Sequence, residues 1–294
     1  MKIASFAAAA VLAFATGAGA QTAAPQQPEE TDLGVVEVTG GSRTERQVID
    51  DFVADVTSLQ ERNGQVARFD ERICPGVINL PPAQAQVIND RIAAAVLSIG
   101  QQVGRPGCEA NVIVIFTEDS DRLAQGMMQR FQRIFRFAVN QQERGPDLLE
   151  EFGRDGRTVR WWHLTERDTL GHDGGSRIRA AYETDIYRAI LIVDTTRAGP
   201  VTLGAIGDYL AMAALLRMSP DADLQGLDSI LNLFDPSARP GGVAPTEMTD
   251  WDHAYLEAVY EARGDTRSQF IAADDISQRM QRRVRQRRDG RSIQ

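Results

Sequence analysis

The sequence predicts an α/β fold, or the related α+β arrangement: a mixed sheet with helices packed around it, in a single compact domain after a signal peptide. Two continuous β-branched runs carry the sheet, residues 111–117 (Asn-Val-Ile-Val-Ile-Phe-Thr) and 189–194 (Ala-Ile-Leu-Ile-Val-Asp). Neither alternates with polar residues, so each strand is expected to be covered on both faces. Around them, apolar residues recur at helical spacing. A hydrophobic share of 43% with 25% charged residues is that of a chain able to build a core.

The chain opens with a charged residue, Lys2, then an almost unbroken apolar run over residues 3–16, then Ala18-Gly19-Ala20. That order is a secretory signal peptide with a small-x-small cleavage site, and the run is too short for a bilayer span. The expected product is periplasmic or secreted and not transmembrane after cleavage. Residues 21–42 read as a flexible linker or arm, rich in Ala, Gln, Pro and Glu at its start. Within it, Gly34-Val35-Val36-Glu37-Val38-Thr39-Gly40 alternates like a short edge strand and resembles the TonB-contacting box of outer-membrane receptors. The expected domain occupies residues 43–278, and a basic tail residues 279–294.

The first helix is expected over residues 43–59, with Val48, Ile49, Phe52, Val53, Val56 and Leu59 on one face. Pro81-Pro82 opens a second, buried through Ile88, Ile92, Val96, Ile99 and Val103. Cys74 and Cys108 are the only cysteines, and both stand in turn chemistry, Cys74-Pro75-Gly76 and Pro106-Gly107-Cys108. Two lone thiols in an exported chain are expected to pair. A Cys/His metal site would need further ligands at metal spacing, and neither cysteine has a Cys or His neighbour.

After the strand at 111–117, residues 119–140 read as a helix. Its stripe of Leu123, Met127, Phe131, Ile134, Phe135 and Ala138 is assigned to the core. Residues 141–156 read as a polar loop, and 158–164 as a strand. Residues 176–182 and 188–194 suggest a hairpin turning at Glu183-Thr184-Asp185. Residues 201–218 form a further helix with Leu203, Ile206, Leu210, Ala214 and Met218 inward. Thr249-Asp250-Trp251-Asp252 has the form of a capping box opening the helix that reaches Ala262.

Lys2 is the only lysine, so no lysine of the mature chain is available as a Schiff-base nucleophile. No glycine-rich phosphate loop occurs, which leaves no nucleotide cofactor to expect. The formal charge is −9, yet residues 279–291 carry seven arginines against one aspartate. A solvated, partly helical tail is one reading of them; an arm for an anionic surface is the other. Nucleic acid is not an expected partner of an exported acidic chain.

Only His163, His172 and His253 could act as imidazoles. A hydrolase reading takes Ser176 as nucleophile, His172 as base and Asp173 or Asp168 as the orienting acid, with His163 as a further candidate. No Gly-x-Ser-x-Gly elbow supports it, and the glycines of His172-Asp173-Gly174-Gly175-Ser176 equally make a structural loop. A zinc site on His163 and His172 lacks standard ligand spacing, so no catalytic metal is expected. The favoured reading is a non-catalytic envelope protein that binds another envelope protein or a small ligand. Its cleft is expected at Trp161, Trp162, His163, Asp208 and Tyr209, where aromatic rings adjoin polar groups.

Two resemblances accompany these residues. The succession of a buried strand at 189–194, a helix at 201–218, Asp228-Ser229-Ile230 and a closing helix to Tyr260 looks like the C-terminal layout of zincin-type metallopeptidases. Where that family carries His-Glu-x-x-His, this helix reads Gly207-Asp208-Tyr209-Leu210-Ala211, so the resemblance implies a relative without the metal. Ile73-Cys-Pro-Gly-Val77, Val112-Ile-Val-Ile-Phe-Thr117, Gly207-Asp-Tyr-Leu-Ala-Met212 and Trp251-Asp-His-Ala-Tyr-Leu256 resemble segments of uncharacterised exported proteins of alphaproteobacteria. That likeness implies no activity. Intact-mass analysis of the exported product is expected to place its first residue at Gln21; a product that retains Met1 refutes the export signal.

Overall fold

The structure, a computed structural model, describes residues 43–57, 65–135, 145–169, 182–262 and 269–291. The expected signal peptide and the 21–42 segment lie outside them, as do His172, Asp173 and Ser176. The predicted strands become β2 (Val112–Thr117) and the second half of β4 (Tyr182–Asp194). They pair in parallel, with Val112 opposite Ala189 and Thr117 opposite Asp194. β1 (Pro75–Ile78) lies parallel beyond β2, and β3 (Val159–Thr169) lies antiparallel beyond β4, so the mixed sheet has the order β1-β2-β4-β3.

The longer α-helices of the described residues are α1 (Glu45–Val56), α2 (Pro82–Ser98), α3 (Ser120–Arg130), α4 (Gly145–Gly153), α5 (Leu203–Leu215), α6 (Asp250–Glu261) and α7 (Gln269–Arg291). β3 and β4 place residues in cores on both faces, whereas Ile113 and Ile115 on the second face of β2 are only half-buried. Val112, Val114, Phe116, Ala189, Leu191 and Val193 enter the main core with residues of α1, α2, α5, α6 and α7. Ile192, Trp162 and Leu164 enter a second, smaller core against Ala124 of α3, Phe152 of α4 and Phe135. The α/β prediction therefore holds; the continuous apolar run at 189–194 is buried on both faces, and that at 111–117 fully on one only.

Close approaches set the packing between α2 and α5. A Cβ at Gly207 would stand 2.7 Å from the Arg91 Cβ, and one at Gly204 3.2 Å from an Arg91 guanidinium nitrogen. Glycine at these positions lets the helix backbone rest on the Arg91 stem. At the other end of α2, Cys74 and Cys108 form the expected disulfide, with Cα atoms 6.2 Å apart. Gly104 sits against its sulfur and has no room for a side chain.

The capping box predicted for α6 is present and reaches beyond the helix. Asp252, fully buried, accepts from the Thr249 amide (2.8 Å) and hydroxyl (2.9 Å), the Ser229 hydroxyl (2.5 Å) and the Ile230 amide (2.8 Å). One carboxylate thus joins the Asp228-Ser229-Ile230 turn to the start of α6.

Four local expectations change. Cys74-Pro75-Gly76 leads into strand β1 rather than a turn alone; Pro75 is the first residue of an edge strand, where its missing N–H costs no ladder bond. Residues 145–153 are helical, because Pro146 suits a first turn and Phe152 finds the second core. Glu183-Thr184-Asp185 runs straight through β4, and the hairpin partner of β4 is β3, which extends to Thr169. The long helix expected over 119–140 breaks at Phe131, the C-cap of α3. Helix resumes over residues 132–135, burying Phe135 but leaving Phe131 44% and Ile134 43% exposed, so the assigned core stripe holds only in part. At the other end of the chain, α7 runs through position 279 without a break.

The disulfide closes a separation of 34 residues. Replacing both cysteines by serine is expected to lower the unfolding free energy by about 4 kcal/mol in the loop-entropy account. Chemical denaturation of the oxidised protein and of the double variant measures this, and a difference below about 1 kcal/mol would contradict it.

Candidate functional site

β3 is an edge strand: among the described residues no strand pairs with its outer side. The Thr158 carbonyl accepts from the Asp194 amide (2.8 Å). By the alternation of an antiparallel ladder, Arg160 and Trp162 then turn their main-chain groups toward β4, and Val159 and Trp161 turn theirs to the outer edge. Side chains alternate as well. Val159 and Trp161 join the main core, whereas Trp162 and Leu164 join the second. Trp162 packs among Phe135 and Phe152, with ring centroids 5.2 and 5.9 Å away.

Beside this edge, a cavity of about 30 Å³ lies between β3, α4 and the segment around Arg217 and Pro220. That is room for one or two waters, or for the tip of a side chain. Its walls include Trp161, Trp162, His163, Leu148 and Phe152. The Arg157 guanidinium donates to the Pro220 carbonyl (3.2 Å) and to Asp221 (2.6 Å), and it also pairs with Glu151. These bonds tie α4 to the 220–221 turn beside the cavity. Burial leaves the Trp162 Nε1–H without an acceptor among the described residues.

His163 is 5% exposed, and its Nε2 stands 3.0 Å from the Ala214 carbonyl at the end of α5. A carbonyl only accepts, so Nε2 carries the proton and donates. Burial, reinforced by the Arg217 charge, brings the imidazole down to about 3, against the pull of the Ala214 and Ala213 carbonyls. The ring is therefore neutral and serves as a cap on the last turn of α5.

The cleft expected from five residues divides. Trp161, Trp162 and His163 line the cavity, whereas Asp208 and Tyr209 do not. The Asp208 carboxylate accepts from the Met248 amide (2.9 Å) and from Arg91 (3.3 Å), and burial raises it above the ordinary carboxylate range. The Tyr209 ring meets Phe234 edge-on at 4.9 Å, and burial pushes its hydroxyl up to about 12. His172, Asp173 and Ser176 lie outside the described residues, and Asp168 stands on β3 opposite Glu183. Among the described residues no three His, Cys, Asp or Glu side chains gather as metal ligands, and no helix is long and apolar enough to cross a membrane.

Sequence reasoning overlooked the polar cluster at the carboxyl end of β4. Asp194 is fully buried and accepts from the Ser120 hydroxyl (2.9 Å), the Thr196 amide (3.0 Å) and Arg197 (2.8 Å). Burial alone would raise its carboxyl; the Thr196 and Ser120 donors and the Arg197 charge hold it at about 2. Arg160, 2% exposed, donates to the Ser120 and Arg154 carbonyls (3.3 and 2.9 Å) and pairs with Asp121. An arginine inside a strand of large apolar residues was the available signal.

His163 and Asp252 give opposite pH dependences. The folded state holds His163 at about 3, against an unfolded value near 6.5, so its contribution to stability is lost as pH falls from about 6.5 toward 3. Burial raises Asp252 to about 6 against its four donors. Its charged form is disfavoured in the fold, and stability is gained as pH falls from about 6 to 4. Each slope is at most about 1.4 kcal/mol per pH unit. Between pH 6 and 4, Asp252→Asn is expected to steepen the loss of stability on acidification, and His163→Gln to reverse it relative to the parent. Denaturation midpoints against pH measure both, and parallel curves for the three proteins would refute the assignment. A scan against protein-family models, a search of curated proteins and a search of solved structures each return no match to this chain.

Proposed function

We propose that this chain is an exported, non-catalytic binding protein that takes an extended polypeptide segment along the outer edge of β3. The observation that carries the reading is the pairing of an open strand edge, at Val159 and Trp161, with the cavity directly beside it. Added strands gain affinity from main-chain hydrogen bonds and selectivity from pockets that receive alternate side chains. Here the edge supplies the first and the cavity lined by Leu148, Trp161 and Trp162 the second. His163 supports binding over hydrolysis, since its Nε2 proton is engaged by a helix carbonyl and its ring is neutral. The signal-peptide sequence and the Cys74–Cys108 bridge support a periplasmic or secreted location.

A pair of variants at one position isolates the edge. Trp161→Ala and Trp161→Pro both remove the indole, but only proline also removes the outward N–H. Hexapeptides selected on the parent by display panning are expected to bind Trp161→Ala more tightly than Trp161→Pro by about tenfold, the worth of one good hydrogen bond. Binding measured by fluorescence anisotropy decides it. Equal affinity of the two variants, or no peptide enriched over a blank surface, would refute strand addition.

A further inference from the structure

The arginine-rich C-terminal residues are the obvious place for an anionic surface to dock, but the fold uses much of their charge. On α7, Arg279 pairs with Asp275, Arg283 with Glu257 and Glu261, Arg287 with Asp250 and Glu257, and Arg288 with Glu45 of α1. Their spacing of four residues turns Arg279, Arg283 and Arg287 to one side of the helix, toward α6.

A different surface has the opposite character. Arg122, Arg130 and Arg133 make no ion pair among the described residues. Between and beside them stand Phe131 and Ile134, 44% and 43% exposed, and half-buried Met127. Arg122, Met127, Arg130 and Phe131 share the wall of one open hollow of about 540 Å³, and residues 129–134 wall a second of the same size. Of the acids nearby, Asp119 caps the Arg122 amide (3.0 Å) and Asp121 is engaged by Arg160 and Arg197. The patch lies at the break between α3 and the helical residues 132–135, with Phe131 at the break itself.

We propose that this end of α3 is a docking surface for an anionic lipid bilayer. Charge complementarity favours lipid: the arginines stand where phosphate headgroups lie, and the two exposed apolar side chains reach the acyl boundary between them. An acidic protein would satisfy the arginines but give Phe131 and Ile134 no apolar phase. The surface is separate from the edge of β3, and its test does not depend on peptide binding.

Co-sedimentation of the full mature chain with phosphatidylglycerol vesicles and with phosphatidylcholine vesicles tests it. Binding is expected to phosphatidylglycerol only, and to weaken with added salt. Arg130→Gln/Arg133→Gln is expected to lower partitioning about thirtyfold, at roughly fivefold per arginine near an anionic surface. Phe131→Ser/Ile134→Ser is expected to lower it about tenfold. Arg282→Gln/Arg285→Gln on α7 should leave it unchanged. Unchanged thermal midpoints keep these readouts separate from folding. No binding to phosphatidylglycerol, equal binding to phosphatidylcholine, or loss only in the α7 variant would overturn the proposal. So would binding of polyglutamate without binding of vesicles, which would give the surface to an acidic polypeptide.

Discussion

The position of β4 is the constraint on which the rest of the structure depends. It pairs in parallel with β2 and antiparallel with β3, so both its edges are satisfied over residues 189–193. Its side chains then divide between two cores, Leu191 and Val193 to one and Ile192 to the other. Parallel pairing of β2 and β4 needs a crossover, and the chain between them supplies α3, α4 and β3. β3 thereby becomes an edge strand with residues of both faces in the cores and no strand, among the described residues, along its outer side, which is where the candidate site lies.

Side chains finish what the backbone leaves open, and arginine does much of that work. Arg68 donates to the Val259, Tyr260 and Ala262 carbonyls (3.0, 3.1 and 2.6 Å) and so closes the end of α6, while Asp252 closes its start. All three contacts are made by one nitrogen, Nη1, whose two protons are shared among the carbonyls. Arg160 also joins the start of α3 to the loop after α4 from within a strand. Lys2 is the only lysine of the sequence, so arginine supplies the fixed positive charge of the fold, and its partners decide whether a basic run is a surface or a structural clamp. On α7, Arg279, Arg283, Arg287 and Arg288 are paired; at the end of α3, Arg130 and Arg133 are turned to solvent.

The candidate site was legible only in part. Trp161, Trp162 and His163 lie together on one strand, so consecutive sequence already placed them at one edge. Asp208 and Tyr209 share with them only the pairing of an aromatic ring with a polar group, and they stand within α5. The helix instead turns Asp208 to Arg91 and Met248, and Tyr209 to Phe234. Polar residues on a buried helix carry no mark of which neighbour will satisfy them.

By itself the sequence determined the elements whose signal is local. The two β-branched runs, the stripes Ile49–Val56 of α1 and Ile88–Val96 of α2 and the capping box at Thr249 each follow from spacing or from one side chain's chemistry and appear where expected, whereas Val103, assigned to the stripe of α2, lies past the helix end at Ser98 and bridges to Ile73. The cysteine pair was legible for a different reason, since two thiols offer a single intramolecular pairing. Only the tertiary structure decided what depends on distant partners. It placed Pro75–Ile78 in the sheet because β2 was there to pair with it, and it folded residues 145–153 into a helix because Trp162 and Phe135 cover Phe152. It also ended α3 at Phe131, leaving Phe131 and Ile134 toward solvent. Periodicity states which face of a helix is apolar. Whether another element arrives to cover that face is settled by the packing of the whole chain.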